Sequence, residues 1–277
     1  MVFDLGHGRI HRARVEAVYP SIADGTVTLV HSDGPYNLGK AAWDKVGDLA
    51  AFYRPHIAAW SRVCAPSASV YLWGTAEGWA AVHPEMVAGG WTFRRLLVWD
   101  KLNTAASMTW EKSDRWPDTS EVCGFYARGN PWFAASWPRS VWPMAIQGWA
   151  DERLTTGEFR SGARNQNGVP CIVAEAAHPT QKPLAFAERI IRASSRPGDL
   201  VLDPFGGTCR IAVANERIAR HDPAEARRTL TVEQDEDGRD YIGAVLRSMG
   251  DDLGTPAHAV GQLRLFAGGA HAATSAR

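Results

Sequence analysis

Three short segments carry residue types able to do chemistry together. Asp33-Gly34-Pro35-Tyr36 follows an apolar run. A carboxylate there can accept a hydrogen bond from an amino group, the Gly34 carbonyl can accept a second, and Tyr36 offers a flat face for stacking. Alone, the tetrapeptide reads more readily as a turn, because Asp, Gly and Pro are turn residues. The second segment is Val201-Leu202-Asp203-Pro204-Phe205-Gly206-Gly207-Thr208. Glycines after a strand let the backbone approach a ligand, and the next helix start favours a negative group. Glu233 ends the following strand, where a carboxylate suits two ribose hydroxyls. Gly206-Gly207 followed by Thr208-Cys209 does not fit a nicotinamide fingerprint. A different nucleoside-bearing cofactor and a plain tight turn both stay open. The third segment, His178-Pro179-Thr180-Gln181-Lys182-Pro183, presents donors at a helix start, with a proline-framed cap as the competing reading.

The elements that must position these groups follow from periodicity. Val27–Val30 reads as a buried strand after an Asp-Gly turn. Residues 41–63 read as a helix interrupted or kinked near Pro55. Val70–Trp73 and Leu96–Trp99 suit central strands. Residues 183–195 repeat Leu184, Ala187, Ile190 and Ile191 as an amphipathic helix. Strand Leu200–Asp203, a Gly-rich turn, a helix through Ile211, Ala214 and Ile218, and strand Leu230–Glu233 make half of a doubly wound α/β fold. Tyr241, Val245 and Met249 mark a further helix. Between 103 and 177 the pattern loosens, which predicts an irregular recognition region. The tail after Gly250 is predicted to be flexible.

Composition narrows the class. The 277 residues are 45% apolar, with 30 basic and 30 acidic side chains, which excludes a mainly disordered chain. No apolar run reaches the roughly 18 residues of a membrane span, so no membrane partner is expected. Four scattered cysteines without C-x-x-C spacing argue against a disulfide framework or a structural zinc, and with no apolar leader visible they predict a cytoplasmic protein. All twelve tryptophans lie between Trp43 and Trp149, which predicts two regions with different tasks.

The order D-G-P-Y, H-P-T-Q-K-P, D-P-F-G-G-T and an acid-tipped strand resembles the β-class of DNA amino-methyltransferases over roughly residues 20–250. Val98-Trp99-Asp100-Lys101 and the segment 121–129 resemble the family too. Three departures stand out: Gly34 where the family has proline, Cys209 where a second glycine is usual, and Ala13-Arg14 where Gly-Asp is frequent. The resemblance implies a Rossmann-like methyltransferase fold of the α/β class. Its doubly wound sheet is mostly parallel with one antiparallel edge strand, and carries an irregular target-recognition region. It divides the chain into a catalytic half (1–102), a target-recognition region (103–177), a donor-binding half (178–250) and a flexible tail (251–277).

What the resemblance implies for function is transfer of a methyl group from S-adenosylmethionine to N6 of adenine in a base flipped out of double-stranded DNA. Cytosine-N4 is the near alternative, and an inactive DNA-binding protein of the same fold is the alternative from another class. Asp33, Gly34, Pro35 and Tyr36 are then the catalytic group. Asp203, Phe205, Gly206, Gly207, Thr208, Glu233, His178, Thr180 and Lys182 would bind the donor, with Thr180 and Lys182 at its methionine carboxylate. Arg115, Arg128 and Arg139, interleaved with tryptophans, and Arg160, Arg164 and Asn165 are candidate DNA contacts, against a solvated polar loop as the plain reading. A homodimer of the restriction-modification kind is the assembly that the resemblance implies.

Overall fold

The computed structural model describes residues 1–39, 41–102, 119–134, 139–144, 155–164, 170–176, 181–234 and 241–252. Its frame is a nine-stranded sheet in the order β1-β2-β11-β10-β3-β4-β6-β5-β7. The strands are β1 (Val2–Asp4), β2 (Gly8–Arg12), β3 (Val27–Ser32), β4 (Cys64–Gly74), β5 (Thr92–Asp100), β6 (Ser120–Arg128), β7 (Val141–Pro143), β10 (Leu200–Asp203) and β11 (Arg228–Glu233). A separate antiparallel pair, β8 (Thr155–Arg164) and β9 (Pro170–Ala176), forms a second sheet. The helices are α1 (Val15–Val18), α2 (Leu49–Val63), α3 (Ala76–Ala88), α4 (Leu184–Ser194), α5 (Arg210–His221) and α6 (Tyr241–Asp252).

The α/β class and the mostly parallel sheet agree with the sequence reading, and β1 is an antiparallel edge strand. One further strand, β6, runs antiparallel between β4 and β5 inside the sheet. It lies in the stretch predicted to be irregular. Its central residues are buried almost without alternation, so the two-residue period that announces a half-exposed strand is absent. Helix α2 is shorter than the predicted 41–63. Its start is set by Asp48, whose side chain accepts the Ala51 N–H at 3.1 Å. Pro55 lies within α2 without ending it.

Helices cover both faces. On β4, Val70 and Leu72 join the apolar cluster that contains Tyr53, Ile57 and Trp60 of α2, with Val82 and Met86 of α3. Tyr71 and Trp73 join the opposite cluster, with Phe186 and Ile190 of α4 and Ile211 of α5. That alternation is the strand's two-residue period expressed in packing. From β3 the chain crosses through α2 to β4, while from β10 it crosses through α5 to β11 on the other side. The gap beyond the carboxyl ends of β3 and β10 is therefore the point where connections diverge, where open α/β sheets bind ligands.

Candidate active site

A cavity opens at that divergence point. It is lined by the turn after β3 (Asp33–Tyr36), the turn after β10 (Asp203–Thr208), Glu233 at the tip of β11, Glu121 near the start of β6, and Lys182 before α4. Because β6 runs against its neighbours, its amino end meets their carboxyl ends, and so Glu121 arrives beside Asp33.

The Asp33 loop is held by bonds from outside the tetrapeptide. Asp44, buried, accepts the backbone N–H of Tyr36 at 2.7 Å, of Asn37 at 3.0 Å and of Leu38 at 2.9 Å. The Tyr36 hydroxyl reaches Asp33 Oδ1 at 2.8 Å and Glu121 Oε2 at 3.1 Å. Burial pushes the Tyr36 phenol up, and the two carboxylates push it further. The ring orientation is thus fixed at both ends.

Lys182 is buried with its Nζ 2.8 Å from Asp33 Oδ1 and 2.9 Å from Glu121 Oε2. It also lies 5.0 Å from the Tyr36 ring centroid. Lys101 pairs with the other Glu121 oxygen, Oε1, at 2.8 Å. Burial would raise the Glu121 carboxyl, but Lys182 and Lys101 outweigh it and hold the group at about 2. Burial would lower the Lys182 ammonium, and Asp33 and Glu121 reverse that and raise it. Lys182 was expected at the donor's carboxylate. The structure turns its ammonium to two protein carboxylates instead, because a buried cation needs anionic partners within reach. Both described bonds to Asp33 land on Oδ1, leaving Oδ2 without a partner among the described residues.

The Gly-rich turn packs tightly. A Cβ on Gly206 would lie 2.5 Å from Thr231 Cγ2, so this turn lies against β11 at a distance only glycine permits. Gly207 has φ +50° and donates its N–H to Glu233 Oε2 at 2.6 Å. Cys209 also has φ +50°, the left-handed conformation that a glycine would supply freely. The cysteine at this position adopts that conformation with its side chain buried in the core. Thr208 is buried beside it, and the Phe205 ring packs 5.1 Å from His56 and 5.9 Å from Phe52 on α2.

Asp203 is fully buried, which raises its carboxyl, with His31 opposing. Trp73 Nε1 donates to His31 Nε2 at 3.2 Å. The hydrogen of that ring is therefore on Nδ1, 3.7 Å from Asp203 Oδ1. That oxygen has no hydrogen-bond partner among the described residues.

The remaining candidates are dispersed. Arg128 ends β6, at the opposite end of the strand from Glu121 and the cavity. Its guanidinium donates to the carbonyls of Ser61, Cys64 and Ala65 and lies 4.8 Å from the Trp91 ring. A guanidinium spent on three carbonyls is a brace, which corrects its assignment as a DNA contact. Arg139 is exposed before β7. Arg160 and Arg164 lie on β8. His178, Thr180, Arg115 and Asn165 lie outside the described residues. Asp44, Glu121 and Lys101 were not singled out by their types, although Lys101 and Glu121 flank the apolar runs 96–99 and 122–126, which was a usable signal.

Comparison with known proteins agrees with this arrangement. A family model described as DNA methylase, of the N6/N4 kind, matches residues 27–248. The type II methyltransferase M1.MboII of Moraxella bovis is 26% identical over 249 residues, covering 77% of this chain and 89% of the relative. Among solved structures, the cytosine-N4-specific PvuII DNA methyltransferase superposes with a TM-score of 0.70 at 16% identity, over 93% of this chain and 91% of its own. The M1.HpyAVI–S-adenosylmethionine complex gives 0.62 at 16% identity, over 87% and 98%. With the family model spanning most of the chain and the acid-tipped, Gly-rich cavity in place, the chain belongs to the N6/N4 family of DNA methylases, amino-methyltransferases that depend on S-adenosylmethionine.

Proposed function

We propose that the protein is a site-specific DNA methyltransferase that modifies N6 of adenine in a base turned out of the duplex. The observation that carries this reading is Asp33. Asp33 lines the cavity, its Oδ1 is anchored by Lys182 and Tyr36, and its Oδ2 has no partner among the described residues. An exocyclic amino group has its lone pair drawn into the ring and is a poor nucleophile. Asp33 Oδ2 and the Gly34 carbonyl accept hydrogen bonds from its two hydrogens, which localises the lone pair on nitrogen. Positioning and electrostatics supply the acceleration, with no covalent intermediate. Tyr36, pinned through its hydroxyl, offers its face to the base, which has to leave the stack to reach this depth.

S-adenosylmethionine supplies a methyl group on a positively charged sulfur. Glu233 takes the ribose, the Gly206-Gly207 backbone gives close approach, and the Asp203 carboxylate suits the cationic end. Phe205 and Thr208 complete that wall. Asp33 in the first position of the tetrapeptide favours adenine over cytosine-N4. Double-stranded DNA is the substrate, and a homodimer is the assembly to be tested by light scattering.

Incubation of unmethylated DNA with protein and S-adenosylmethionine, followed by nucleoside mass spectrometry, should give N6-methyl-2′-deoxyadenosine. N4-methyl-2′-deoxycytidine instead would overturn the choice of base. Asp33→Ala should lower transfer by about 10²- to 10³-fold with donor affinity changed less than about threefold, and substantial residual transfer would remove Asp33 from catalysis.

A further inference from the structure

We propose that Glu121 is a positioning residue for methyl transfer. Glu121 shares Lys182 with Asp33 while Lys101 offsets Glu121, so the group stays neutral and Asp33 keeps its acceptor strength for the amino group of the target base. This rests on the reading of Asp33 given above. Four charged groups arrive from four elements: Asp33 after β3, Lys101 after β5, Glu121 on β6 and Lys182 before α4. They form one chain of contacts, with distances of 2.8, 2.9 and 2.8 Å along Asp33–Lys182–Glu121–Lys101. Two carboxylates and two ammonium groups sum to zero. All four side chains are less than a fifth exposed, so any imbalance is felt strongly.

The chemistry makes that balance matter. During transfer, positive charge moves from the sulfonium onto the amino nitrogen beside Asp33. With Glu121 neutralised, Lys182 has Asp33 as its sole described carboxylate partner and the group carries one net positive charge. A carboxylate engaged fully by an ammonium draws less on the amino hydrogens, and an uncompensated cation opposes the charge arriving on nitrogen. Tyr36 is affected as well, since its hydroxyl is shared between Asp33 and Glu121. A purely structural ion pair would instead brace β6 against α4 and would be indifferent to the sign of the net charge.

The test separates these roles by restoring charge without restoring the contact. Single-turnover transfer to unmethylated DNA would be measured at saturating S-adenosylmethionine, with donor affinity and thermal melting followed in parallel. Glu121→Gln should slow transfer at least tenfold with donor affinity changed less than twofold. Glu121→Asp, which keeps the charge, should retain more activity than Glu121→Gln. The double variant Lys101→Met/Glu121→Gln, neutral again, should recover at least threefold over Glu121→Gln. A Glu121→Gln as fast as the wild type, or a double variant no faster than the single one, overturns the proposal and leaves a structural brace. A wild type that transfers no methyl group overturns the underlying reading of Asp33 and the proposal together.

Discussion

A side chain on Gly34 would put its Cβ 2.5 Å from the Tyr53 hydroxyl and 2.8 Å from Phe205 Cδ2. The φ of Gly34 is not positive, so space rather than backbone conformation demands glycine here. Tyr53 and Phe205 fill the volume that a proline would occupy. Restoring the family's proline is therefore expected to harm this chain: overpacking of this kind costs about 1–3 kcal/mol. Gly34→Pro should lower transfer at least about tenfold, and Tyr53→Phe in the same chain, which removes the nearest atom, should recover part of it. A Gly34→Pro protein faster than the wild type would show that the loop yields without loss. At this scale the tetrapeptide was legible from residue types alone, whereas the reason for its glycine lay in side chains 19 and 171 positions away.

Among the elements, β11 and the turn after β10 act as one unit, since Glu233 holds the Gly207 N–H at 2.6 Å. The acid thus shapes the turn as well as facing the cavity. Hydrogen bonds to charged groups contribute about 1.5–3 kcal/mol, so Glu233→Ala should weaken donor affinity about 10- to 100-fold. Isothermal titration with S-adenosylmethionine would check this, and an unchanged dissociation constant would contradict the ribose assignment. Strand, Gly-rich turn, helix and strand were readable in sequence because each has a strong local period and a clear stop. The same logic failed for β6, whose burial on both faces erases the period, and at the start of α2, where the apolar spacing of 43–49 mimics a helix that Asp48 begins later.

For the whole molecule, acid stability should reflect one buried histidine. Trp60 Nε1 donates to the Tyr19 hydroxyl at 3.0 Å, and that hydroxyl lies 3.2 Å from His56 Nδ1, which can accept from it only while unprotonated. Burial, with a small net effect of nearby charges, lowers His56 from 6.5 to about 4. Between those values the unfolded chain binds a proton that the native one refuses, so stability falls as the pH drops through this window. At roughly 1.4 kcal/mol per unit the loss is about 3 kcal/mol. Glu121 contributes in a separate window, from 4.5 down to about 2. Urea unfolding at several pH values should show a steep loss between about 6.5 and 4 in the wild type that is reduced in His56→Gln. Equal slopes in the two proteins would contradict the assignment.

The sequence by itself determined which groups were available and their order along the chain: an acid-Gly-Pro-Tyr turn, a Gly-rich turn after a strand, and an acid at the next strand's tip. These are local patterns, set by side-chain period and by what glycine and proline allow. Only the tertiary structure decided that Lys182 faces Asp33 across 149 positions and that Tyr36 meets Glu121 across 85. Such pairings depend on strand order and on β6 running against its neighbours, and neither leaves a trace in nearby residues. A buried charge finds its partner through the fold, so the partner's identity can be read only after the sheet has been assembled.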